Sequence, residues 1–277
     1  MKTLKDLYKD VSSLENTPLM PILFLGHGSP MNAIEDNEFS REWKSLSKLL
    51  PPPSAIVSIS AHWETKGTFV ITSSAPKTIH DFYGFPRQLY MEEYPAPGSP
   101  QLAKEIITNV DKINIGEDTQ WGLDHGTWSV LKYIYPKADI PVIQVSLDHF
   151  QNARWHFELG KELAFLRSKG VLVIGSGNMI HNLRMVQLNS DDFNAEYGYD
   201  WAFELNKILK QKLSDRDFTS LINYQSLHKD AMLAVPTPEH YLPMLYILSM
   251  MQNNEDIGIF NDKVIAGSLN MTSFLIK

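Results

Sequence analysis

The sequence contains no cysteine, and this absence excludes several classes of chemistry at once. Disulfide frameworks, zinc ribbons, iron–sulfur ligation and thiol nucleophiles all require cysteine sulfur. A metal site in this chain must therefore be built from histidine, aspartate and glutamate. The nine histidines are consequently the residues whose placement tells most about such a site.

Basic runs and long apolar runs are also missing. Lysine and arginine number 25 against 32 aspartates and glutamates, which gives a formal net charge of −7 and argues against a nucleic-acid partner. The longest apolar run near the start, residues 20–25, is far shorter than the ~20 residues that a membrane span needs. We recognise neither a secretory segment nor a basic amphipathic helix. The sequence therefore predicts a cytoplasmic protein without nucleic-acid or membrane partners.

The chain of 277 residues, 43% of them hydrophobic, is long enough for one large α/β domain or two small ones. Short apolar runs predict strands at 21–25, 55–60, 141–147, 171–175, 231–235 and 264–269. Helical patterns lie between several of them, over 39–50, from Ser99 onward, and over 155–166 with a stop at Gly170. This alternation predicts a single domain with a central, mainly parallel or mixed sheet flanked by helices. We assign residues 1–20 to an N-terminal extension and residues 21–277 to the domain.

Four histidines follow the carboxyl ends of predicted strands: His27, His62, His181 and His240. Because these strand ends form the ligand crevice of an open α/β sheet, the four side chains can converge there. One histidine at a strand end is usually a hydrogen-bonded loop residue, but four together favour a site for a divalent metal ion. We place His240 in the first turn of a helix capped by Thr237, where the helix N-terminus favours a neutral ring.

Two carboxylates compete with these histidines as ligands. Glu239 adjoins His240, but neighbouring helical residues point about 100° apart, so both are not expected to bind one ion. Glu64 lies two residues after His62 and is interpreted as a surface carboxylate.

Two further histidines have alternative interpretations. His125, in GLDHGTW, is either part of a helix start capped by Thr127 or a loop residue suited to proton transfer. His80 begins an aromatic loop whose rings either form a pocket wall or pack on each other. The remaining three are interpreted as structural or surface residues: His149, His156 and His228.

Familiar catalytic motifs are otherwise missing. Ser176 lacks the G-x-S-x-G elbow and is a poor candidate for a nucleophile. The chain has no Walker loop, GxGxxG or HExxH, which excludes the common nucleotide-binding and metalloprotease classes.

Six segments together resemble one known family. They are GHGSP (26–30), SAHW (60–63), HDFYGFP (80–86), GLDHGTW (122–128), GSGNMIHNL (175–183) and PTPEHYLP (236–243). Each is only moderately specific, but their ordered set from residue 21 to about residue 270 resembles the class III extradiol ring-cleavage dioxygenases. The DOPA 4,5-dioxygenase branch of that family is the most similar.

The resemblance implies a non-haem Fe(II) enzyme that opens a catechol ring beside its hydroxyls with O2 and yields a muconic semialdehyde. Zn(II) is a second candidate for the ion in the purified protein, since zinc can displace iron by its greater affinity. His27 and His62 match metal ligands, and His181 and His240 match further metal-site histidines. His125 and His181 match catalytic positions that handle protons or hold substrate. Protocatechuate relatives complete their metal triad with glutamate, where this chain has a third histidine.

Two other functions use the same histidines. A zinc hydrolase needs three histidines and an open position, and a non-catalytic metal- or small-molecule-binding protein needs only the site. The sequence does not identify the catechol: Arg87 and Arg184 are candidates for binding a substrate carboxylate, although both are more readily interpreted as surface residues. The oligomeric state is left open.

Overall fold

A computed structural model describes residues 19–189 and 192–277. The assigned extension, residues 1–20, lies almost wholly outside the described residues. The ten described strands are β1 (Ile22–Gly26), β2 (Ala55–Thr65), β3 (Thr68–Ile71), β4 (Ile115–Asp118), β5 (Val142–Asp148), β6 (Val171–Gly177), β7 (Ile257–Phe260), β8 (Val264–Ile265), β9 (Leu269–Asn270) and β10 (Ser273–Ile276). The described α-helices are α1 (Glu38–Leu46), α2 (Pro100–Asn109), α3 (His125–Ile134), α4 (Ala153–Leu163), α5 (Asp200–Ser214), α6 (Phe218–Ile222), α7 (Ala231–Ala234) and α8 (Leu242–Ser249).

Eight strands form one mixed sheet in the order β4-β3-β5-β2-β6-β1-β10-β7. The central strands β5, β2, β6 and β1 are parallel, so their carboxyl ends lie at one edge. Antiparallel pairing brings β10 and β7 onto one side of this centre and joins β3 to β5 on the other. The prediction of a mainly parallel or mixed sheet is confirmed.

Helices cover both faces of the sheet because residues in the central strands are apolar on both sides. Ile22 and Phe24 of β1 belong to one buried cluster with apolar residues of α2, α4, α5 and α8. Leu23 and Leu25 belong to a second cluster with α1 and α3. This period of two along β1 gives a three-layer sandwich and confirms the predicted fold class. In the described part of the chain, none of the helices combines the length and apolar character needed to cross a bilayer.

The three predicted helices are present. Phe39 and Trp43 of α1 are fully buried on one stripe, and the Ser99 side chain caps α2 by accepting from the Leu102 N–H. The helix α4 passes into a 3-10 turn that ends at Gly170, whose φ of 71° is the left-handed conformation that glycine adopts readily.

Two predicted strands were wrong. Residues 231–235 contain α7 rather than a strand, because alanine, methionine and leucine favour helix and only Val235 is β-branched. Residues 264–269 form parts of the two short strands β8 and β9 instead of one. Ala266 and Gly267 have φ values of 50° and 82° between them, which reverses the chain.

Candidate metal centre and catalytic site

The carboxyl ends of β1, β2 and β6 bring three of the predicted histidines to one edge of the sheet. His27 follows β1, and its N–H donates to the Gly177 carbonyl at 3.2 Å. His62 lies inside β2, which continues to Thr65 instead of ending at residue 60. His181 follows β6, and its N–H donates to the carbonyl of Ala234 at 2.9 Å. The segment mistaken for a strand therefore still lies beside the site.

His240 reaches the same edge from a turn before α8. The predicted helix start with Thr237 as its cap is wrong, since α8 begins at Leu242 and Tyr241 occupies the cap position. The turn lies directly on the end of β6, where the Asn178 N–H donates to the His240 carbonyl at 2.9 Å. A Cβ on Gly177 would lie 2.1 Å from that carbonyl oxygen, so glycine is what permits this approach.

His27, His62 and His240 form one compact group. Each offers a ring nitrogen, and these nitrogens all lie within 4.8 Å of one another. The Nε2 atoms of His27 and His62 are 3.0 Å apart. His27 and His240 are buried, and His62 is partly buried. The structure thus brings together three of the four histidines that were predicted to bind metal.

An oxygen atom lies beside the Nδ1 atom of each ring in this group, as a hydrogen-bond partner for His27 and His240 and as an ion-pair partner for His62. The pairs are His27 with Ser176 Oγ at 3.0 Å, His62 with Asp81 Oδ2 at 3.3 Å, and His240 with Glu239 Oε1 at 3.0 Å. Such partners orient metal-binding imidazoles and leave the opposite nitrogen available. Glu239 contacts His240, and its carboxylate also lies within 4.8 Å of ring nitrogens of His181 and His240. Glu64 is exposed.

Burial keeps these three rings neutral. Burial and then the neighbouring histidines lower the pKa of His27 and His240 well below the usual 6.5. For His62 burial and His125 also lower the pKa, and the charge of Asp81 opposes them only in part. Because metal ions bind the neutral imidazole, the site is ready for a cation at neutral pH.

His125 is the first residue of α3 and contacts the edge of the three-histidine group. Its ring centroid lies 4.0 Å from that of His62. The cap of this helix is the Asp124 side chain, which accepts from the Thr127 N–H, so the expected capping by Thr127 was wrong. His125 therefore begins a helix, as one of its two interpretations predicts, and its ring also faces the site; its role in proton transfer stays a prediction.

Asp81 holds His125 and was missed by the sequence reasoning. Its Oδ1 accepts from the His125 N–H at 2.8 Å, and its Oδ2 is 2.9 Å from His125 Nδ1. Burial would raise the pKa of Asp81, but the hydrogen bond and charge of His125 lower it below its usual value. The HDFYGFP motif contains Asp81 beside His80, but its partner His125 lies 44 residues further along the chain, so the sequence does not mark the pair.

The aromatic loop that His80 begins is mostly packed. His80 Nε2 lies 2.9 Å from the Glu92 carbonyl oxygen, and its ring contacts Phe82 and Trp128 edge-on. Phe82 in turn meets the His125 ring at 5.5 Å between centroids. Phe82 therefore borders the site and also packs on Phe85, whereas Tyr83 is exposed.

His181 stacks on His240 instead of joining the three-histidine group. The two ring centroids are 3.5 Å apart and the planes differ by 10°. Nitrogen lone pairs lie in the plane of the ring, so the lone pairs of two parallel rings do not converge on one ion. Burial and the charge of His125 lower the pKa of His181 to about 4.

The other candidates lie elsewhere. Their partners are Phe150 for His149, Tyr246 for His156 and Glu204 for His228. Arg87 and Arg184 are exposed.

Comparisons with known proteins identify the family of this chain. The sequence profile of the catalytic LigB subunit of aromatic ring-opening dioxygenase matches residues 21–267. The chain belongs to the LigB family. The match contains all five histidines of the site, from His27 to His240.

Individual relatives agree with this family. The chain is 46% identical over 274 residues to a 4,5-DOPA dioxygenase extradiol of Escherichia coli K12, covering 98% of each. It is 34% identical over 260 residues to a 4,5-DOPA dioxygenase extradiol of Beta vulgaris, covering 91% of this chain and 94% of the relative. A crystal structure of an uncharacterized Escherichia coli K12 protein superimposes with a TM-score of 0.80 at 43% identity, covering 93% of this LigB chain and 100% of the other.

The predicted enzyme class is therefore confirmed: this LigB protein is an extradiol dioxygenase. Its activity implies a small-molecule substrate and O2. Its histidine and carboxylate groups could hold the metal ion on which ring-opening dioxygenases of this family depend.

Proposed function

We propose that the enzyme binds Fe(II) through His27, His62 and His240 and cleaves a DOPA-like catechol with O2 to a muconic semialdehyde. Residues 21–277 would form the catalytic domain. The E. coli and Beta vulgaris relatives are named for 4,5-DOPA, which supports a catechol with an amino-acid side chain. The proposal combines this likeness with one observation at the site.

The observation is the 3.0 Å separation of His27 Nε2 and His62 Nε2. Both Nδ1 atoms face oxygen partners, and with protons on these two atoms both Nε2 atoms present lone pairs to each other. Two lone pairs at this distance repel unless a cation lies beside both. Two nitrogens each ~2.1 Å from one ion are about 3.0 Å apart when they subtend a right angle, so the pair fits a metal ion.

When bound, a ferrous ion would supply positions for both catechol oxygens and O2 and a path for electrons between them. Three neutral imidazoles leave the full +2 charge of such an ion, where a carboxylate ligand would reduce it. The higher charge favours the catecholate form of the substrate. Both oxygen atoms enter the product, so no external reductant is needed.

His125 is suited to take the catechol proton. Asp81 holds its Nδ1–H, which leaves Nε2 as the proton acceptor. The carboxylate also stabilises the imidazolium that forms when the proton arrives. General base assistance of this kind is worth about 10²–10⁴ in rate.

His181 is the second group proposed to handle protons. Its stacking on His240 holds it next to the metal ligands without directing its lone pairs to the same ion. Its low pKa keeps it neutral near pH 7, so it can accept a proton or hydrogen-bond to the substrate. We therefore assign His181 to acid–base work and the other three histidines to the metal.

Oxygen uptake tests the proposal most directly. Purified protein is loaded with Fe(II) without oxygen, mixed with a panel of catechols, and exposed to air. We expect O2 consumption with yellow semialdehyde formation, fastest with a catechol that carries an amino-acid side chain. If iron-loaded protein consumes no O2 with any catechol, the proposal is wrong.

Hydrolysis by bound zinc is the alternative that the same histidines allow. Membership of the LigB family favours ring opening instead. Zinc-loaded protein is therefore assayed on ester and amide substrates in parallel. Turnover of these substrates without O2 consumption by the iron form would favour the hydrolase.

A further inference from the structure

The hydroxyl of Ser176 lies between two parts of the site. Ser176 is near the end of β6 and is fully buried. Its Oγ is 3.0 Å from His27 Nδ1 and 2.5 Å from the Gly126 carbonyl oxygen. A carbonyl oxygen only accepts hydrogen bonds, so the single hydroxyl proton goes to Gly126. Ser176 Oγ must then accept its second hydrogen bond from His27 Nδ1–H.

This direction of donation determines the tautomer of His27. A neutral imidazole carries one proton, so a proton on Nδ1 leaves Nε2 with a lone pair. The other tautomer has a competing partner, because His27 Nε2–H could donate to His62 Nε2 at 3.0 Å. That bond between the two histidines would occupy both nitrogens that the proposed metal site requires.

We propose that Ser176 is a positioning residue which selects the Nδ1–H tautomer of His27 and so prevents His27 Nε2–H from donating to His62 and closing the metal site. The inference rests on the proposed function for the role of the metal, but the tautomer itself is a property of the metal-free protein.

The Gly126 carbonyl directs the hydroxyl, and it is held in place by its surroundings. Gly126 is the second residue of α3, whose cap is the side chain of Asp124. A Cβ on Gly126 would lie 2.6 Å from Ser60 Oγ and 3.0 Å from the His62 ring, so the helix start lies tightly against β2. The carbonyl therefore has little freedom to move away from Ser176.

The experiment measures the tautomer of His27 first and the metal affinity of the protein second. Metal-free protein with ¹⁵N-labelled histidine is examined by ¹H–¹⁵N correlation NMR, with His27→Gln used to assign the ring signals. We expect Nδ1–H on His27 in the wild type and a shift to Nε2–H in Ser176→Ala. Co²⁺ and Zn²⁺ titrations should show about 10–100-fold weaker binding in Ser176→Ala.

Two variants control this experiment. Ser176→Thr keeps the hydroxyl on the same strand and should retain the wild-type tautomer and metal affinity. Ser146→Ala removes another buried hydroxyl, which contacts Thr65 and the Phe69 N–H and makes no hydrogen bond to a histidine in the described part of the chain. It should change neither readout. If Ser176→Ala does not fold, Ser176→Cys, of nearly equal volume but a much weaker acceptor, replaces it in the tautomer measurement.

The outcomes separate this inference from the proposed function. A Ser176→Ala protein that keeps Nδ1–H on His27 and binds metal as tightly as the wild type overturns the inference. If the His27→Gln variant binds metal as tightly as the wild type, the assignment of His27 to the metal site is wrong instead. In that case a tautomer shift in Ser176→Ala would still support the role of the hydroxyl.

Discussion

A single polar partner orients each histidine of the three-histidine group. Ser176, Asp81 and Glu239 each contact an Nδ1 atom, and Nε2 is left available in every case. None of these partners was singled out for this role from the sequence. Ser176 and Asp81 are distant along the chain from the histidines they contact, so no spacing pattern marks them, and Glu239 beside His240 was interpreted only as a competing ligand. The histidines themselves were found because strand ends are recognisable.

Replacing a ligand should abolish metal binding. We expect His27→Ala and His62→Ala each to lose stoichiometric Fe(II) and all ring cleavage, because two nitrogens do not hold the ion in competition with water. Metal content by atomic emission and O2 uptake measure both effects. His228→Ala, which removes a histidine that contacts Glu204, is the control and should behave as wild type. Full iron content in either site variant would contradict the assignment.

Replacing the proposed base should separate binding from turnover. His125→Ala should keep its iron, since His125 lies outside the three-histidine group, yet kcat should fall about 10²–10⁴-fold. Iron content and kcat are measured on the same preparation. Loss of iron together with activity would make His125 a ligand or a support of the ligands.

Among the elements, the short turn before α8 matters most for the site and was the hardest to predict. Thr237 and Pro238 have the composition of a helix start, and the helix nevertheless begins only at Leu242. The close contact of His240 with β6 overrides the local preference. A single sequence indicates local secondary-structure preference well but indicates tertiary contacts poorly.

A methyl group at Gly177 should displace this turn. In Gly177→Ala the added Cβ would lie 2.1 Å from the His240 carbonyl, so the turn must shift and His240 should leave the metal group. We expect weaker Zn²⁺ binding and a lower melting temperature. Gly258→Ala in β7 is the matched control, because its nearest contact would be 3.9 Å away. Calorimetric titration and thermal unfolding compare the two, and equal metal affinity in both would contradict the role of Gly177.

The molecule as a whole keeps several histidines buried and neutral, which makes its stability depend on pH. Burial lowers the pKa of His156 and His181 to about 4, and that of His27, His62 and His240 also falls. The unfolded chain therefore binds more protons than the folded chain between about pH 6.5 and about pH 4. Asp124 and Glu64 act in the opposite sense, since burial raises the pKa of both, that of Asp124 to about 6, but two carboxyls oppose five histidines.

The free energy of unfolding of metal-free protein should consequently fall as the pH drops from about 6.5 towards 4. Urea unfolding at several pH values measures the slope. His156→Gln removes a titrating group that contacts Tyr246 and lies outside the metal groups, so its slope should be smaller by up to about 1.4 kcal/mol per pH unit. A slope that does not change in this variant would show that His156 titrates normally in the folded protein.

Sequence patterns were sufficient for the three layers, the central strands and the convergence of four histidines. Sequence patterns did not predict contacts between segments that are distant along the chain, such as the contact between Asp81 and His125. The left-handed pair Ala266 and Gly267 was also missed, because alanine rarely adopts that conformation. Long-range contact, rather than local preference, accounts for most of these differences.

His27, His62 and His240 come from three distant parts of the chain, the end of β1, the middle of β2 and the turn before α8. A bound ion would therefore act as a crosslink between the N-terminal and C-terminal portions of the domain. Local opening of any one of these segments would release the ion, so occupancy should slow amide hydrogen exchange and proteolysis in all three together. Resistance to protease would then report on cofactor loading without any assay of catalysis.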